Sequence, residues 1–542
     1  MAAVGQSFTR EEVRDHTSDD SLWCVIDSTV YDLTDFVDAH PGGESVLKQI
    51  AGQDATTAFY NLHRHEVLAK YADLAIGTIQ NEKPQVISPQ PGDLCPVPYS
   101  EPLWLTAPFR TPYYKDSHRR LQRAVREFND RHLTPEAHEC ERTGDFISQG
   151  MIEHMSRLGI LHMRLGPGKH LHGVELMGGA VKGEEFDYFH DLIVSQELCR
   201  PMARGFQDGN MSGMTIGLTA VLNFSRNLEW RNRIADEVFS GRKKLSLAVT
   251  EAFAGSDVSG LRTTAEKTPD GKYYIVNGTK KWITNGLWSD YFITGVQTGK
   301  GLSVLLIERG EGVETKPIKT SYSPAAGTAY VTFDNVKVPV ENLLGEEHQG
   351  ARVILSNFNH ERWAMSCSAI RNARVIVEES LKWANQRIVY GKRLIDQAVI
   401  RQKYVQYLPQ FLVTRVLELF NAASRLTFAL RLAKMIALVE ANQSWLETIT
   451  YQMCHMPYAE QAKHLAGPIA MLKMSCTRAC HEIADESVQI WGGRGLTQTG
   501  MGKHIEMFQR TYKFDAILGG AEEVLADLGV RQAMKNFPKA RL

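Results

Sequence analysis

The stretch LAVTEAFAGSDVSG, residues 247–260, decides how the larger part of this 542-residue chain is read. Glycine and small hydroxyl residues crowd a loop beside expected strands. Such a loop can bring N–H and O–H donors to the polar edge of a flat ring. Two further segments lie downstream. KKWITNG (280–286) puts an aromatic next to a hydroxyl in a strand pattern, and QIWGGRGL (489–496) is a glycine-rich connection between helical runs. The latter lacks the strand–turn–helix context of GxGxxG, so it is not a dinucleotide fingerprint of the Rossmann kind.

Working outward, residues 105 to about 235 are helical in pattern. SHRRLQRAVREFNDR places Leu121, Val125 and Phe128 at helical spacing. From about 240 to 345 the residues alternate and become β-branched. KYYIVNGTKKWITNG and SVLLIERG are expected strands, with turn signals at Asn277-Gly278 and Asn285-Gly286. From 346 onward long amphipathic runs return, such as ARVIVEESLKWANQRIV. The order is helices, strands, helices, preceded by a compact mixed unit over residues 1–79. Six prolines, Pro84, Pro89, Pro91, Pro96, Pro98 and Pro102, favour extended backbone, so residues 80–104 are expected to be a linker.

Bulk properties narrow the function classes. A length of 542 residues allows several domains, and a formal net charge of −1 gives no pull toward nucleic acid. The eight cysteines form no CxxC pair, which argues against a zinc ribbon or a thioredoxin site. Cys476 and Cys480 lie one helical turn apart and are expected to pack. No 18-residue apolar run predicts a membrane span. The first residues lack a signal core and an acylation pattern. The last three, Ala540-Arg541-Leu542, are similar to the small–basic–Leu peroxisomal address. The expected location is therefore the peroxisome, otherwise cytoplasm or mitochondrion.

In the N-terminal unit His40 precedes Pro41-Gly42-Gly43, and a second histidine follows the AGQDATTAF helix. Two neutral imidazoles can hold a haem iron from opposite faces, giving a centre that moves electrons and does not bind oxygen. From Phe8 to Ile79 the chain resembles the cytochrome b5 family, on WxVI at 23–26, VYDLTDF, HPGG and AGxDAT. The resemblance implies an α+β domain holding haem b, with His40 as one axial ligand. The spacing common in that family lands on Arg64, which His63 and His65 flank. The LHR form occurs in b5-like modules fused to flavoenzymes and favours His63, with His65 in reserve.

The three segments together, with RIVYGKRL at 387–394 and the terminal GGAEEV, resemble the acyl-CoA dehydrogenase family over residues 108–530. The resemblance implies a helical domain (105–238), a β-barrel-like strand domain (239–345) and a C-terminal four-helix bundle (346–542). It also implies bound FAD in a site built across a subunit interface of a homodimer or homotetramer. Thr250 and Ser256 match flavin- and substrate-contacting positions. Trp282 and Thr284 match the aromatic covering the isoalloxazine and the hydroxyl near its N5. Arg387 matches the arginine reaching the neighbouring subunit's pyrophosphate, and Gln489, Gly492 and Gly493 match the loop over the adenosine. Two departures stand out. Ala398 replaces a glutamine common after YGK, and TQTGMGKHIEMF carries about three extra residues.

The family reaction removes the α proton of an acyl thioester with a carboxylate while the flavin takes the β hydride. In many members the base lies in the turn that is AILGGAEEV (516–524) here, and the matching position is Gly519. Glu522 and Glu523 begin the next helix and fit its N-terminus. Isovaleryl- and long-chain-type members take the base from another helix, just before an arginine. NFNHERW (357–363) supplies Glu361 there, beside Arg362. Buried against flavin, Glu361 is expected to have a raised pKa.

Haem and FAD in one chain imply electron transfer between them. The substrate is then an acyl-CoA thioester and the haem a built-in first acceptor. A redox partner or oxygen is the final acceptor. The idea fails if substrate reduces flavin but never haem without mediators. A second reading is a flavin monooxygenase or oxidase fed through the haem, which needs no α-proton base. A third, a haem-bearing binding protein, conflicts with the intact TEAFAGSD and WITNG segments.

Overall fold

The computed structural model describes residues 6–86, 89–397, 427–535 and 537–538. Ala398 and the Ala540-Arg541-Leu542 tripeptide lie outside them. The chain forms two compact units, one of residues 1–90, 382–428 and 488–506, the other of 91–381, 429–487 and 507–542.

In the smaller unit a five-stranded sheet runs in the order Ser7–Phe8, Ala75–Ile79, Thr29–Asp32, Ser21–Ile26, Thr17–Ser18. Strand Ser21–Ile26 points Leu22, Cys24 and Ile26 into one core and Val25 into the other, the period of two that a strand imposes. Helix Glu44–Ile50 covers the first face with Leu47, and Phe36 and Phe59 pack around the same cluster. His40 and the glycines lie just before that helix. Gly43 has φ +84°, and a side chain on Gly42 would start 2.7 Å from the His40 ring. The HPGG turn therefore needs both glycines.

In the larger unit, helix Asp116–Phe128 buries Leu121, Val125 and Phe128, as its spacing predicts. It packs with Tyr188–Glu197, Gly213–Phe224 and Leu228–Phe239 into one apolar core. A seven-stranded curled sheet follows. Its path is Leu302–Glu308, Tyr291–Gln297, Thr264–Lys267, Tyr273–Ile283, Ala329–Pro339, Val313–Pro317, with Leu245–Ala248 parallel to Tyr291–Gln297. Strand Leu302–Glu308 buries Val304 and Leu306 against the helical core and Leu305 and Ile307 inside the curl. It is covered on both faces, so it reads as a continuous apolar run. Asn285-Gly286 does end a strand. Asn277-Gly278 does not turn; it is a bulge inside Tyr273–Ile283. A Cβ on Gly278 would stand 2.6 Å from the Thr263 backbone. That glycine serves a close approach between strands, which local sequence cannot distinguish from a turn.

The long C-terminal helices are Phe358–Gln386, Thr427–His455, Ala466–Trp491, Lys503–Ile517 and Glu522–Met534, with the short Tyr458–His464 between the second and third. Trp363 is fully buried and donates to Thr450 Oγ at 2.9 Å. Cys476 and Cys480 are buried in this bundle.

The proline-rich run divides at residue 90. Ser100, Glu101, Pro102 and Trp104 are buried in the larger unit, within the segment expected to be linker. Arg126 forks onto Glu101 at 2.6 and 2.9 Å and onto Glu197 at 2.7 and 3.0 Å. Prolines set an extended backbone, but only this buried ion cluster determines that the segment is covered.

Candidate active site

Glu361 lies in the first turn of helix Phe358–Gln386 and is 5% exposed. Among the described residues its Oε2 has no hydrogen-bond partner. The Gly-Gly turn lies over it and is held by two cations: Arg362 Nε donates to the Gly519 carbonyl at 3.0 Å, and Lys473 Nζ to the Gly520 carbonyl at 2.9 Å. Gly519 has φ +67°, and a Cβ there would stand 3.4 Å from Glu361 Oε1. The helix thus delivers a carboxylate to the space that a side chain at position 519 would enter. Burial raises the Glu361 pKa to about 7, against the opposing pull of Arg362, Lys473 and His360. Glu522 takes the role expected of it, at a helix N-terminus, and binds Arg478 at 3.2 Å.

Beside Glu361 is a cavity of about 40 Å³. Its wall combines Ile216, Met365 and Leu518 with Arg164, Arg204 and Asp208. Nothing in the local sequence marked the last three; Arg204 and Asp208 pair one helical turn apart, and Arg164 comes to them from the end of a separate helix.

The two strand-domain motifs come together. The Thr250 carbonyl accepts from the Lys281 N–H at 2.9 Å, tying the TEAFAGSD loop to WITNG. Under this junction Lys280 is fully buried and donates to Glu251 at 2.7 Å and to the Gly295 carbonyl at 2.7 Å. Glu251 also accepts from the Arg262 and Thr263 N–H groups at 2.7 and 3.0 Å. Burial lowers the Lys280 pKa to about 8, with Glu251 opposing. Losing one partner of such a pair costs on the order of 3–5 kcal/mol, because a charge stays buried alone. The doubled lysine was the visible signal, but its partner lies 29 residues away.

Trp282 follows from a register shift between Lys280 and Ile283. Its φ is +60° and its side chain is 49% exposed. A bulge re-aims a side chain out of the sheet, and a bulky residue rarely holds this backbone without a purpose. Thr284 is half-buried just beyond it, and Ser256 is exposed on the loop. These groups offer a flat face and hydroxyl donors, as an isoalloxazine requires.

The smaller unit carries the remaining flavin-motif residues. Trp383 stacks on Trp491 with centroids 4.6 Å apart. The Arg387 and Arg494 guanidiniums lie 5.8 and 5.2 Å from the same Trp383 ring. Burial and the Arg387 charge both lower the Arg494 pKa, so an anionic diphosphate would relieve the pair. Arg494 was missed in sequence, where only the surrounding glycines were read. Gln489, Gly492 and Gly493 are exposed, and a Cβ on either glycine would touch nothing among the described residues.

In the same unit the His40 and His63 ring centroids are 6.1 Å apart. His40 Nδ1 lies 3.2 Å from the Gly43 carbonyl, which holds the proton on Nδ1 and leaves Nε2 as a ligand. His63 stacks on Phe59, and burial lowers its pKa, keeping it neutral. His65 instead stacks on Tyr60, whose hydroxyl is 2.9 Å from its Nδ1. Arg64 reaches the Met501 carbonyl at 3.2 Å, within the loop that carries the extra residues. The pair His40 and His63 therefore fits a bis-imidazole haem. A separate cluster, His118, Asp187 and His190, is a helix cap: His118 Nδ1 accepts the Lys115 N–H at 2.8 Å, so its Nε2 bears the proton facing Asp187.

Comparison with known proteins agrees with this division. Residues 9–80 match the cytochrome b5-like heme/steroid binding domain family. Residues 115–227, 246–336, and 348–429 with 422–534 match the N-terminal, middle and C-terminal domains of the acyl-CoA dehydrogenases. The acyl-CoA dehydrogenase apdG of Emericella nidulans is 35% identical over 469 residues, covering 82% of this chain and 97% of that one. The acyl-CoA dehydrogenase AFT10-1 of Alternaria alternata is 33% identical, with 82% and 98% covered. The crystal structure of an acyl-CoA dehydrogenase complexed with FAD from Bacillus anthracis superposes with a TM-score of 0.62 at 22% identity, over 79% of this chain and 68% of that one.

Proposed function

The chain belongs to the acyl-CoA dehydrogenase family and carries a cytochrome b5-like domain ahead of it, and from that premise we propose that it converts an acyl-CoA thioester to the 2-enoyl-CoA and passes the electrons to its own haem. Membership brings FAD and haem as cofactors. Thr250, Ser256, Trp282 and Thr284 would hold the isoalloxazine end of FAD, Arg387, Gln489, Gly492 and Gly493 the adenosine-diphosphate end of an FAD bound by a second copy, and His40 and His63 the haem iron. Bound FAD supplies the hydride acceptor, and the haem is a one-electron carrier.

The observation that carries the reading is the carboxylate of Glu361, buried where a residue-519 side chain would reach. Its work is to take the α proton. Burial keeps water away and holds its pKa near working pH, so the base is strong enough to act and is readily restored. Arg362 and Lys473 brace the turn above it. Met365 and Leu518 screen it from solvent on the cavity side.

The test is an anaerobic titration of the holoprotein with acyl-CoA thioesters of increasing length, followed in the visible. Bleaching of the flavin band followed by growth of the reduced haem band supports both halves of the reading. Bleaching without haem reduction removes the relay. If no thioester bleaches the flavin but reduced haem does reduce it, the monooxygenase or oxidase reading takes over.

Only ionised Glu361 accepts a proton. Its pKa of about 7 lies above the ordinary carboxylate range, so the rate of flavin reduction rises about tenfold per pH unit below 7 and levels off above it. A profile already flat from pH 5 upward would remove Glu361 as the base.

Exposed Gln489, at the end of helix Ala466–Trp491, and the exposed Gly492 and Gly493 just after it suit a cofactor site completed by a second copy, in a homodimer or homotetramer. Peroxisomal location rests on Ala540-Arg541-Leu542. A fluorescent fusion at the other terminus is expected to lose punctate localisation when these three residues are deleted, and an unchanged pattern would refute the address.

A further inference from the structure

Proton abstraction explains Glu361 but not the charge on the wall beside it. Arg164 lines the same cavity and is 7% exposed. Among the described residues its hydrogen bond is a single long one, Nη1 to Ser195 Oγ at 3.4 Å, and its buried Nε has no partner. The neighbouring acids are already engaged. Asp191 is bound to His360 at 2.7 Å and to the Ser195 hydroxyl at 3.3 Å. Asp208 binds Arg204 and the Tyr322 hydroxyl, and Asp515 takes the other side of Arg204. Arg204 thus has two carboxylate partners and only its Nε unpaired, whereas Arg164 has no ion-pair partner among the described residues. A buried guanidinium with unspent donors is costly. A hydrocarbon acyl chain would be better served by leucine or methionine at this position.

We propose that the acyl group accepted here carries a hydrogen-bond-accepting oxygen, as carboxylate, ketone or hydroxyl, beyond its α and β carbons, and that Arg164 binds that oxygen. The inference rests on the dehydrogenase reading and names its substrate class. Glu361 on one wall addresses the α carbon, while Arg164 on another selects what lies further along the chain. Discrimination follows from the donors. An apolar chain leaves them unpaired in a dry cavity, and an oxygenated chain satisfies them. Arg164 acts in specificity and takes no part in the proton transfer.

The experiment measures flavin bleaching by the haem-loaded, FAD-loaded full chain under anaerobic conditions. Four thioesters of equal length serve as probes: hexanoyl-, 6-hydroxyhexanoyl-, 5-oxohexanoyl- and adipoyl-CoA. At least one oxygenated ester is expected to exceed hexanoyl-CoA in reduction rate over apparent Kd by roughly tenfold or more. Arg164→Met, similar in length and uncharged, should shrink that ratio by roughly tenfold or more, and Arg164→Lys should restore part of it. A preference for adipoyl-CoA assigns an anionic substrate; a preference for the hydroxy or oxo ester assigns a neutral one. Hexanoyl-CoA ranking first in the wild type overturns the proposal, even if the methionine variant fails to fold. So does a ratio that Arg164→Met leaves unchanged. Silence from all four esters, and from acyl-CoAs of other lengths, overturns the dehydrogenase reading itself.

Discussion

Glu361→Gln is expected to lower acyl-CoA-driven flavin reduction by roughly 10²–10⁴-fold, the usual contribution of a positioned base. The amide keeps the volume of the carboxylate and fills the same buried site, so the loss is one of proton affinity and not of packing. Flavin content and acyl-CoA binding should persist, which separates the effect from unfolding. A variant that retains full reduction would remove Glu361 from the reaction. A stronger form of the test follows from the geometry of the turn. A Cβ on Gly519 would lie 3.4 Å from Glu361 Oε1, so a carboxylate can reach one point in space from two places in the chain. Gly519→Glu placed in a Glu361→Gly background is expected to regain roughly tenfold or more of the lost rate. It will not regain everything. The φ of +67° strains any side chain at that position, and Met365 Sδ, 2.8 Å from the new Cβ, must move. A double variant that folds, binds FAD and recovers nothing would show that the two positions do not share a reach.

His63→Ala is expected to abolish the low-spin haem spectrum, and His65→Ala to leave it intact. The two residues are separated only by Arg64, yet their rings have different partners. His63 faces His40 across 6.1 Å, while His65 stacks on Tyr60 and shares a hydrogen bond with it. In His63→Ala, acyl-CoA should still bleach the flavin, and no haem band should grow. Loss of haem from His65→Ala with retention in His63→Ala would reverse the assignment. Growth of a haem band in His63→Ala would mean that a reducible haem is held without that imidazole, and would remove His63 as the second ligand.

How much was legible in sequence depended on the range of the interactions involved. Leu121, Val125 and Phe128 share a helix face because three and four residues make about one turn. Leu22, Cys24 and Ile26 share a strand face for the equivalent reason. HPGG and WITNG are local too: each is a backbone shape that a few consecutive residues impose. These short-range patterns were enough for the order of helices, strands and helices, and the motifs' resemblance to two families implied the two cofactor classes.

What they could not convey was contact between distant segments. Arg362 and the Gly519 carbonyl that it holds are 157 residues apart. Asn277-Gly278 has the composition of a turn, and only the neighbouring backbone at Thr263 shows that its glycine makes room. Lys280 reads as a strand lysine until Glu251 is found beneath it. The Pro-rich run reads as a spacer until Arg126 draws Glu101 into the core. Arg164 carries no motif at all; its meaning lies in a buried wall assembled from separate helices. The sequence by itself determined the order of elements through local periodicity and, through motifs that resemble two families, the candidate haem histidines and the candidacy of Glu361. Only the tertiary structure decided which carboxylate fills the space beside the Gly-Gly turn, which imidazole faces His40, and which charges are left unspent beside Glu361. Those are set by desolvation and by distances between segments that have no fixed spacing along the chain.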